Sequence, residues 1–165
     1  NTGVPLMHGA AIDPATGVLY VSSQDPYVTT NLFTVDKTTG AATLVGDMGL
    51  PWISGLDFDP TSGILYGALG GPESTGSLFT IDTATGQATV IAPTMRFAGI
   101  SFTEDGQLIG VENWSNMLYQ IDPGDGTYSL IGQLSLQNML ALVFGNPESV
   151  VVEAVHWGEI KASYR

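Results

Sequence analysis

One stretch of the sequence, residues 32–46, decides the fold because the chain repeats it. It reads L-F-T-V-D-K-T-T-G-A-A-T-L-V-G, and it returns as L-F-T-I-D-T-A-T-G-Q-A-T-V-I at residues 78–91 and as L-Y-Q-I-D-P-G-D-G-T-Y-S-L-I-G at residues 118–132. The copies begin 46 and 40 positions apart. In each copy, two short segments rich in β-branched and aromatic residues flank a turn with Asp and Gly, which predicts a β-hairpin.

A second predicted hairpin precedes each copy. It surrounds the sequence D-P-A-T-G at residues 13–17, D-P-T-S-G at residues 59–63 and T-E-D-G at residues 103–106. Two hairpins give four strands per unit, and no stretch inside the repeats has the i, i+3, i+4, i+7 spacing of an amphipathic helix. Four-stranded units with a period of about 40 to 50 residues are typical of β-propeller blades. The sequence therefore predicts an all-β, β-propeller-like fold of antiparallel blades.

The repeats also set the expected domain organisation. The 165 residues predict one domain, a repeat domain over residues 1–145. Its blades are expected at about residues 8–52, 53–95 and 96–137, followed by the first strand of a fourth blade at 138–145. Residues 146–165 form a predicted linker and C-terminal tail, which has no counterpart in the repeats.

The D-P-x-T-G-x-L-Y and L-F-T-[IV]-D-x-x-T-G-x-A-T patterns resemble the blade repeats of bacterial extracellular β-propellers of the NHL-like and YVTN-like kinds. The resemblance covers about residues 9–145. It implies blade architecture, and it implies no particular activity because that class of proteins includes binders, scaffolds and enzymes.

Composition limits the partners and the location. The formal charge is −12, from 16 acidic residues against four Lys and Arg residues, so nucleic acid and anionic membrane surfaces should repel the chain. No apolar run is long enough to predict membrane insertion. Only 12% of residues are charged, 21 are Gly and none is Cys. We expect a secreted protein, extracellular or at the cell surface, whose chain, beginning at Asn1, is a mature or truncated form.

A search for catalytic motifs predicts no enzyme. His8 and His156 are far apart and form no zinc-binding motif, and the sequence has no nucleophile elbow, P-loop or Rossmann pattern. We therefore assign no catalytic, cofactor-binding or metal-binding residue. Calcium ligands remain an alternative for the carboxylates, which otherwise serve as turn caps at equivalent repeat positions. The pairs considered for calcium are Asp57 with Asp59 and Asp122 with Asp125, and the expected turn caps are Asp13, Asp36, Asp59, Asp82 and Asp122.

Aromatic residues and one sequon suggest contacts with sugars. Trp52, Trp114 and Tyr27 fall in connecting regions, where exposed rings can stack on glycans or on a protein partner, although packing between blades also explains them. Asn113 begins the sequence N-W-S, an acceptor pattern for N-glycosylation.

Three blades do not close a propeller, which usually has four to eight, so something must complete the ring. Two chains joined 3+3, a longer parent protein, and head-to-tail stacking with a strand donated by the tail are the three alternatives. We expect a non-enzymatic structural protein that self-assembles through its incomplete edges and its tail. A carbohydrate- or peptide-binding module and a propeller lyase or hydrolase are the rival functions. The residues expected to mediate assembly are Val150, Val151, Val152, Val155, Trp157, Ile160 and Tyr164.

Overall fold

The computed structural model describes residues 7–24, 30–71, 75–112 and 114–134. These residues form twelve strands in three four-stranded sheets and no helix. Blade 1 consists of β1 (Met7–Ile12), β2 (Leu19–Gln24), β3 (Thr30–Val35) and β4 (Ala42–Asp47). Blade 2 consists of β5 (Ile53–Phe58), β6 (Leu65–Leu69), β7 (Ser77–Ile81) and β8 (Ala88–Pro93). Blade 3 consists of β9 (Phe97–Phe102), β10 (Leu108–Glu112), β11 (Met117–Ile121) and β12 (Tyr128–Gln133).

Each blade is a meander in which sequential strands pair antiparallel. The first strands of neighbouring blades contact each other, β1 with β5 and β5 with β9. The prediction of an all-β protein with three four-stranded antiparallel blades is confirmed. The predicted extra strand at 138–145 and the tail at 146–165 lie outside the described residues.

The hairpin turns explain why the Asp and Gly positions repeat. In the turn of residues 36–41, the Asp36 N–H donates to the Ala41 carbonyl and the Gly40 N–H donates to the Asp36 carbonyl, both at 2.8 Å. The Asp36 carboxylate accepts from the N–H of Thr38 at 2.8 Å. Gly40 has a φ of 73°, which glycine adopts without the strain that a Cβ would bring. The same bonds recur in the turns that begin at Asp13, Asp59, Asp82 and Asp122.

The turn of blade 3 between β9 and β10 is one residue shorter. Its first residue is Thr103 instead of Asp, and the Thr103 N–H donates to the carbonyl of Gln107, four positions on. The Thr103 hydroxyl and the Asp105 carboxylate bond each other inside the turn. The departure from the Asp-Pro pattern in the sequence is therefore local, because β9 and β10 still pair in register from Leu108 and Phe102 onward.

Two hydrophobic cores hold the blades together. The first lies between blades 1 and 2, where Leu32 and Phe79 are fully buried. The second lies between blades 2 and 3, where Leu78 and Phe97 are fully buried. Adjacent residues Leu78 and Phe79 belong to different cores because successive side chains of a strand point to opposite faces. Both faces of blade 2 are thus covered by neighbouring blades.

Within the part of the chain that the structure describes, no helix is long and apolar enough to cross a membrane.

Candidate functional site: the open faces of the outer blades

Blade 1 has one face that no described blade covers. Strand alternation assigns the faces: Ala11, Tyr20 and Leu32 pack toward blade 2, so the residues next to them point away. We call this outward side the open face of blade 1 and define it by Ala10, Ile12, Leu19, Phe33 and Val35.

Exposure at equivalent repeat positions shows that this face differs from its counterpart. Ile12 is 53% exposed, whereas Phe58 and Phe102 at the same repeat position in blades 2 and 3 are each 5% exposed. Leu19 and Val35 are half-buried, whereas their counterparts in blade 2, Leu65 and Ile81, are buried. The apolar pattern is therefore the same in all three blades, and blade 1 leaves Ile12, Leu19 and Val35 more exposed than their counterparts, whereas Val21 on the same side is 2% exposed.

Blade 3 has an open region on the face turned away from blade 2, but only on its outer half. Ile109 and Val111 of β10 point to this side and are 5% and 0% exposed. Leu118 is half-buried although its counterparts Leu32 and Leu78 are fully buried. Ile131 is 54% exposed. We call Leu118, Ile131 and Gly132 the outer patch of blade 3.

The outer strand of a blade also contacts the turn of the next blade's outer hairpin. We call this contact the outer seam. A Cβ placed on Gly46 of β4 would lie 2.0 Å from the carbonyl oxygen of Thr85, in the turn that joins β7 and β8. The same contact recurs between blades 2 and 3, where a Cβ on Gly126 would lie 2.8 Å from the Cβ of Ala92. The outer strands of blades 1 and 2 therefore each need a small residue where the next blade's turn packs on them.

Asp57 links blade 2 to blade 3. Its carboxylate accepts from the Ser101 hydroxyl and from the Phe102 N–H, both at 2.7 Å. Ser101 is 2% exposed, so the hydroxyl is removed from solvent. Asp57 with Asp59 was the alternative calcium pair, but Asp59 accepts from the Thr61 N–H and the Ser62 hydroxyl in its own turn, as the turn-cap prediction has it.

The other predicted acidic pair is also engaged in local turns. Asp122 accepts from the Gly124 N–H at 2.8 Å, and Asp125 accepts from the N–H and hydroxyl of Thr127. Among the described residues, no three His, Cys, Asp or Glu side chains come close enough together to hold a metal ion. His8 is exposed on β1, and His156 lies outside the described residues.

Hydrogen bonds lower the pKa of the carboxyl groups of three turn aspartates. The N–H groups of Thr39 and Thr38 hold the pKa of Asp36 below the ordinary value of 3.8. Hydrogen bonds donated inside the turn likewise lower the pKa of Asp13 and Asp82. A carboxyl whose pKa is lower in the folded state stabilises the fold above its unfolded pKa and loses that contribution as the pH falls through its folded pKa.

We therefore expect acid to lower the melting temperature between about pH 5 and about pH 2. A triple variant, Asp13→Asn, Asp36→Asn and Asp82→Asn, keeps an oxygen that accepts the turn N–H groups but does not titrate in this range. Its melting temperature, followed by circular dichroism, should fall less steeply with acid than that of the wild type. Equal slopes for the two proteins would show that the turn carboxylates do not cause the acid sensitivity.

The predicted aromatic contacts divide into one packed and one exposed ring. Trp52 is half-buried and packs on Gly71, where an added Cβ would lie 2.3 Å from the Trp52 Cβ. Trp114 is 68% exposed in the turn between β10 and β11. The Glu112 carboxylate fixes this turn by accepting from the N–H of Trp114 and from the N–H and hydroxyl of Ser115. Partial burial raises the pKa of Glu112, but these hydrogen bonds outweigh it and leave the pKa lowered.

Two shallow grooves lie at equivalent positions of blades 1 and 3, each between the two hairpin turns of its blade. The groove on blade 1 has a volume of about 460 Å³ and the groove on blade 3 about 350 Å³. Asp36 and Lys37 contribute to the first, and Asp122 and Gln120 contribute to the second. None of the described residues that line these grooves is a histidine.

The remaining predicted residues lie outside the described part of the chain. They are Tyr27, the sequon residue Asn113, and the assembly residues Val150, Val151, Val152, Val155, Trp157, Ile160 and Tyr164. Neither the outer seam nor the link from Asp57 to blade 3 was predicted from the sequence. The seam had a signal, namely a small residue at repeat positions 46, 92 and 132, whereas the link had none because Ala11 and Ser101 occupy the equivalent positions.

Comparison with known structures supports the propeller architecture. A protein of unknown function from Bacteroides thetaiotaomicron superposes with a TM-score of 0.58 and 17% identity, over 73% of this chain and 32% of that chain. A chain of a nidogen/laminin complex superposes with a TM-score of 0.54 and 17% identity, covering 84% of this chain and 68% of that one. The PQQ-bound aldose sugar dehydrogenase of Streptomyces coelicolor superposes with a TM-score of 0.55 and 21% identity, over 75% of this chain and 46% of that chain.

The chain spans between about one third and two thirds of the length of these structures. At such identities the likeness establishes the fold alone, and it confirms the resemblance to propeller blade repeats. No curated protein sequence matches significantly. A family profile does match, over residues 2–135. The chain therefore belongs to the family described as "Repeat of unknown function (DUF6923)", and it is a repeat protein built of β-propeller blades.

Proposed function

We propose that this protein is a non-enzymatic structural protein, extracellular or at the cell surface, that self-assembles through its unfilled blade faces and its C-terminal tail. The observation that carries the proposal is the open face of blade 1. Ile12 is 53% exposed at a repeat position where the other blades bury a phenylalanine to 5%. The exposed apolar residues of this face are of the kind that the other blades bury against each other. Covering them with another blade would lower the free energy.

The extracellular location rests on composition. Low charge density, glycine-rich turns and a net charge of −12 accord with a secreted repeat protein. The negative charge also disfavours nucleic acid as a partner. We propose the protein itself as the main partner, in an oligomer or a filament, without a cofactor.

The residues proposed for assembly include those of the tail. Its Val run is β-prone, and an extended tail can add as a strand to an exposed sheet edge. The proposed tail contacts are Val150, Val151, Val152, Val155, Trp157, Ile160 and Tyr164.

Light scattering and sedimentation over a range of concentrations test the proposal. The wild type should form particles heavier than the 17.3 kDa monomer. Ile12→Asp places a charge on the open face and should shift the particles toward monomer by at least tenfold in concentration, since a buried unpaired charge costs more than about 1.4 kcal/mol. Ile64→Asp is the matched control, because Ile64 is 42% exposed but lies in the turn between β5 and β6.

Deleting residues 149–165 in the same experiment tests the tail, and loss of the heavier particles is the expected result. Unchanged assembly of that deletion would remove the tail from the proposal, and equal weakening by Ile12→Asp and Ile64→Asp would remove the open face. A wild type that stays monomeric at every concentration would overturn self-assembly altogether.

A binding module is the second candidate because of Trp114. Its ring is 68% exposed on a turn that Glu112 holds in place, and a fixed exposed ring suits stacking on a sugar or a peptide side chain. Retention of a stable monomer on a glycan array would favour this function over assembly. A propeller lyase or hydrolase stays a weaker proposal, since the described acids are engaged in turns and in the Asp57 link.

A further inference from the structure

The outer seam has two parts, a receiving residue on one blade and an inserting turn on the next. Each of the three described blades has both parts, but only two seams are formed, so one receiving residue and one inserting turn have no described partner. The receiving part is a small residue on the outer strand, Gly46 in blade 1 and Ala92 in blade 2. The inserting part is the turn of the next blade's outer hairpin, at Gly86 in blade 2 and Gly126 in blade 3. Both inserting glycines are buried.

The unmatched parts are at the two ends of the blade array. Gly132 of blade 3 is the third receiving residue, and a Cβ added there would meet no atom of the described residues within 4 Å. Gly40 of blade 1 is the remaining inserting residue, and a Cβ added there would likewise have no described neighbour within 4 Å. Gly40 is half-buried, in contrast to the buried Gly86 and Gly126.

The neighbours of Gly132 repeat the surroundings of a filled seam. Leu118 lies opposite Gly132 on the adjacent strand, as Leu32 lies opposite Gly46. Leu32 is fully buried in the core between blades 1 and 2, whereas Leu118 is half-buried. Ile131 is 54% exposed, whereas Val45 at its repeat position packs against that core. The outer patch of blade 3 thus has the residues of a seam without the blade that fills it.

We propose that the outer patch of blade 3 binds the outer hairpin of blade 1 from a second copy of this chain, with the turn of residues 36–41 packed on Gly132. The proposal rests on the proposed self-assembly and specifies which surfaces meet. Its occupant is identified by the two outer seams inside the chain, where a turn with the same hydrogen bonds packs on a small residue of the preceding blade.

The proposed contact joins two different surfaces, so every copy offers one receiving end and one inserting end. Such a heterologous contact closes into a ring when the rotation per copy divides a full turn, and it otherwise continues as a filament. Because the inner half of the patch side is already buried at Ile109 and Val111, blade 3 takes part in the contact only through its outer strands.

Two substitutions at Gly132 separate this contact from other modes of assembly. Gly132→Leu places a bulky side chain where the incoming turn would pack, and it should abolish particles heavier than the monomer. Gly132→Ala is the matched control and should assemble as the wild type does, because Ala92 occupies the same position in the filled seam between blades 2 and 3. Neither change should alter the melting temperature of the monomer, since no described residue of the same chain packs on the site.

A mixing experiment provides a second measurement. Gly132→Leu retains its inserting turn, so it should cap wild-type particles and lower their mean mass when the two proteins are mixed. Gly132→Lys serves as a second blocking variant if the leucine variant has a lowered melting temperature. If the wild type assembles and both blocking variants assemble equally well, the proposed contact is wrong while self-assembly stands. A wild type that is monomeric throughout overturns both.

Discussion

Phe79→Ala should lower the free energy of unfolding by about 3 to 5 kcal/mol, which for a domain of this size is a fall in melting temperature of about 6 to 20 °C. Phe79 is fully buried in the core between blades 1 and 2. Its ring lies against Gly67 so closely that a Cβ on Gly67 would be 2.3 Å from it. Alanine would leave a cavity that the two facing sheets cannot close, because each is fixed by its own strand pairing.

Val90→Ala is the control for this change. Val90 pairs with Phe79 on the neighbouring strand and lies on the same side of the sheet, but it is 50% exposed. Its truncation should cost less than about 1 kcal/mol, because an exposed side chain loses little buried surface. Chemical denaturation of both variants measures the difference, and similar losses from the two would contradict the role of the buried ring in holding the blades together.

Asp57→Ala should cost about 2 to 4 kcal/mol, because it removes the carboxylate that joins blade 2 to blade 3 and the two hydrogen bonds that this carboxylate accepts from blade 3. The Ser101 hydroxyl and the Phe102 N–H, each now 2.7 Å from that carboxylate, belong to buried residues. Unlike the aspartates of the turns, this one spans two blades, so its loss should loosen the interface between them.

Asp125→Ala is the comparison for Asp57→Ala. Asp125 is exposed and bonds Thr127 within a single turn, so its removal should cost less than half as much. Denaturant unfolding of the two variants measures both costs. An Asp57→Ala protein as stable as Asp125→Ala would mean that solvent satisfies the Ser101 and Phe102 groups as well as the carboxylate does.

The strand order could be predicted from the sequence because each strand carries its own local signal. The turn from Asp36 to Ala41 has an Asp that accepts turn N–H groups and a Gly with positive φ, and five turns share that chemistry. Local signals of this kind repeat with the chain and need no knowledge of distant contacts. The shorter turn at Thr103 has a different sequence, but β9 and β10 on either side of it still pair antiparallel as the corresponding strands of the other blades do.

The contacts between blades could not be predicted in the same way. Asp57 and Ser101 lie 44 positions apart, and nothing in the repeat pattern marks their partnership. Asp57 and Asp59, considered together as an alternative pair of calcium ligands, bond different partners. Gly46 is likewise an ordinary strand glycine in the sequence, and only the packing of the turn at Thr85 gives a reason for its size.

The coverage of blade 2 on both faces also bears on how the chain opens. In a linear array each unit is supported by its neighbours, so a unit at the end loses fewer contacts when it unfolds than one in the middle. Amide hydrogens of blade 2 should therefore exchange later than those of the described blades on either side of it. A further blade docked on blade 1 or blade 3 would extend that protection outward, so resistance to proteases should increase with the number of blades in the array.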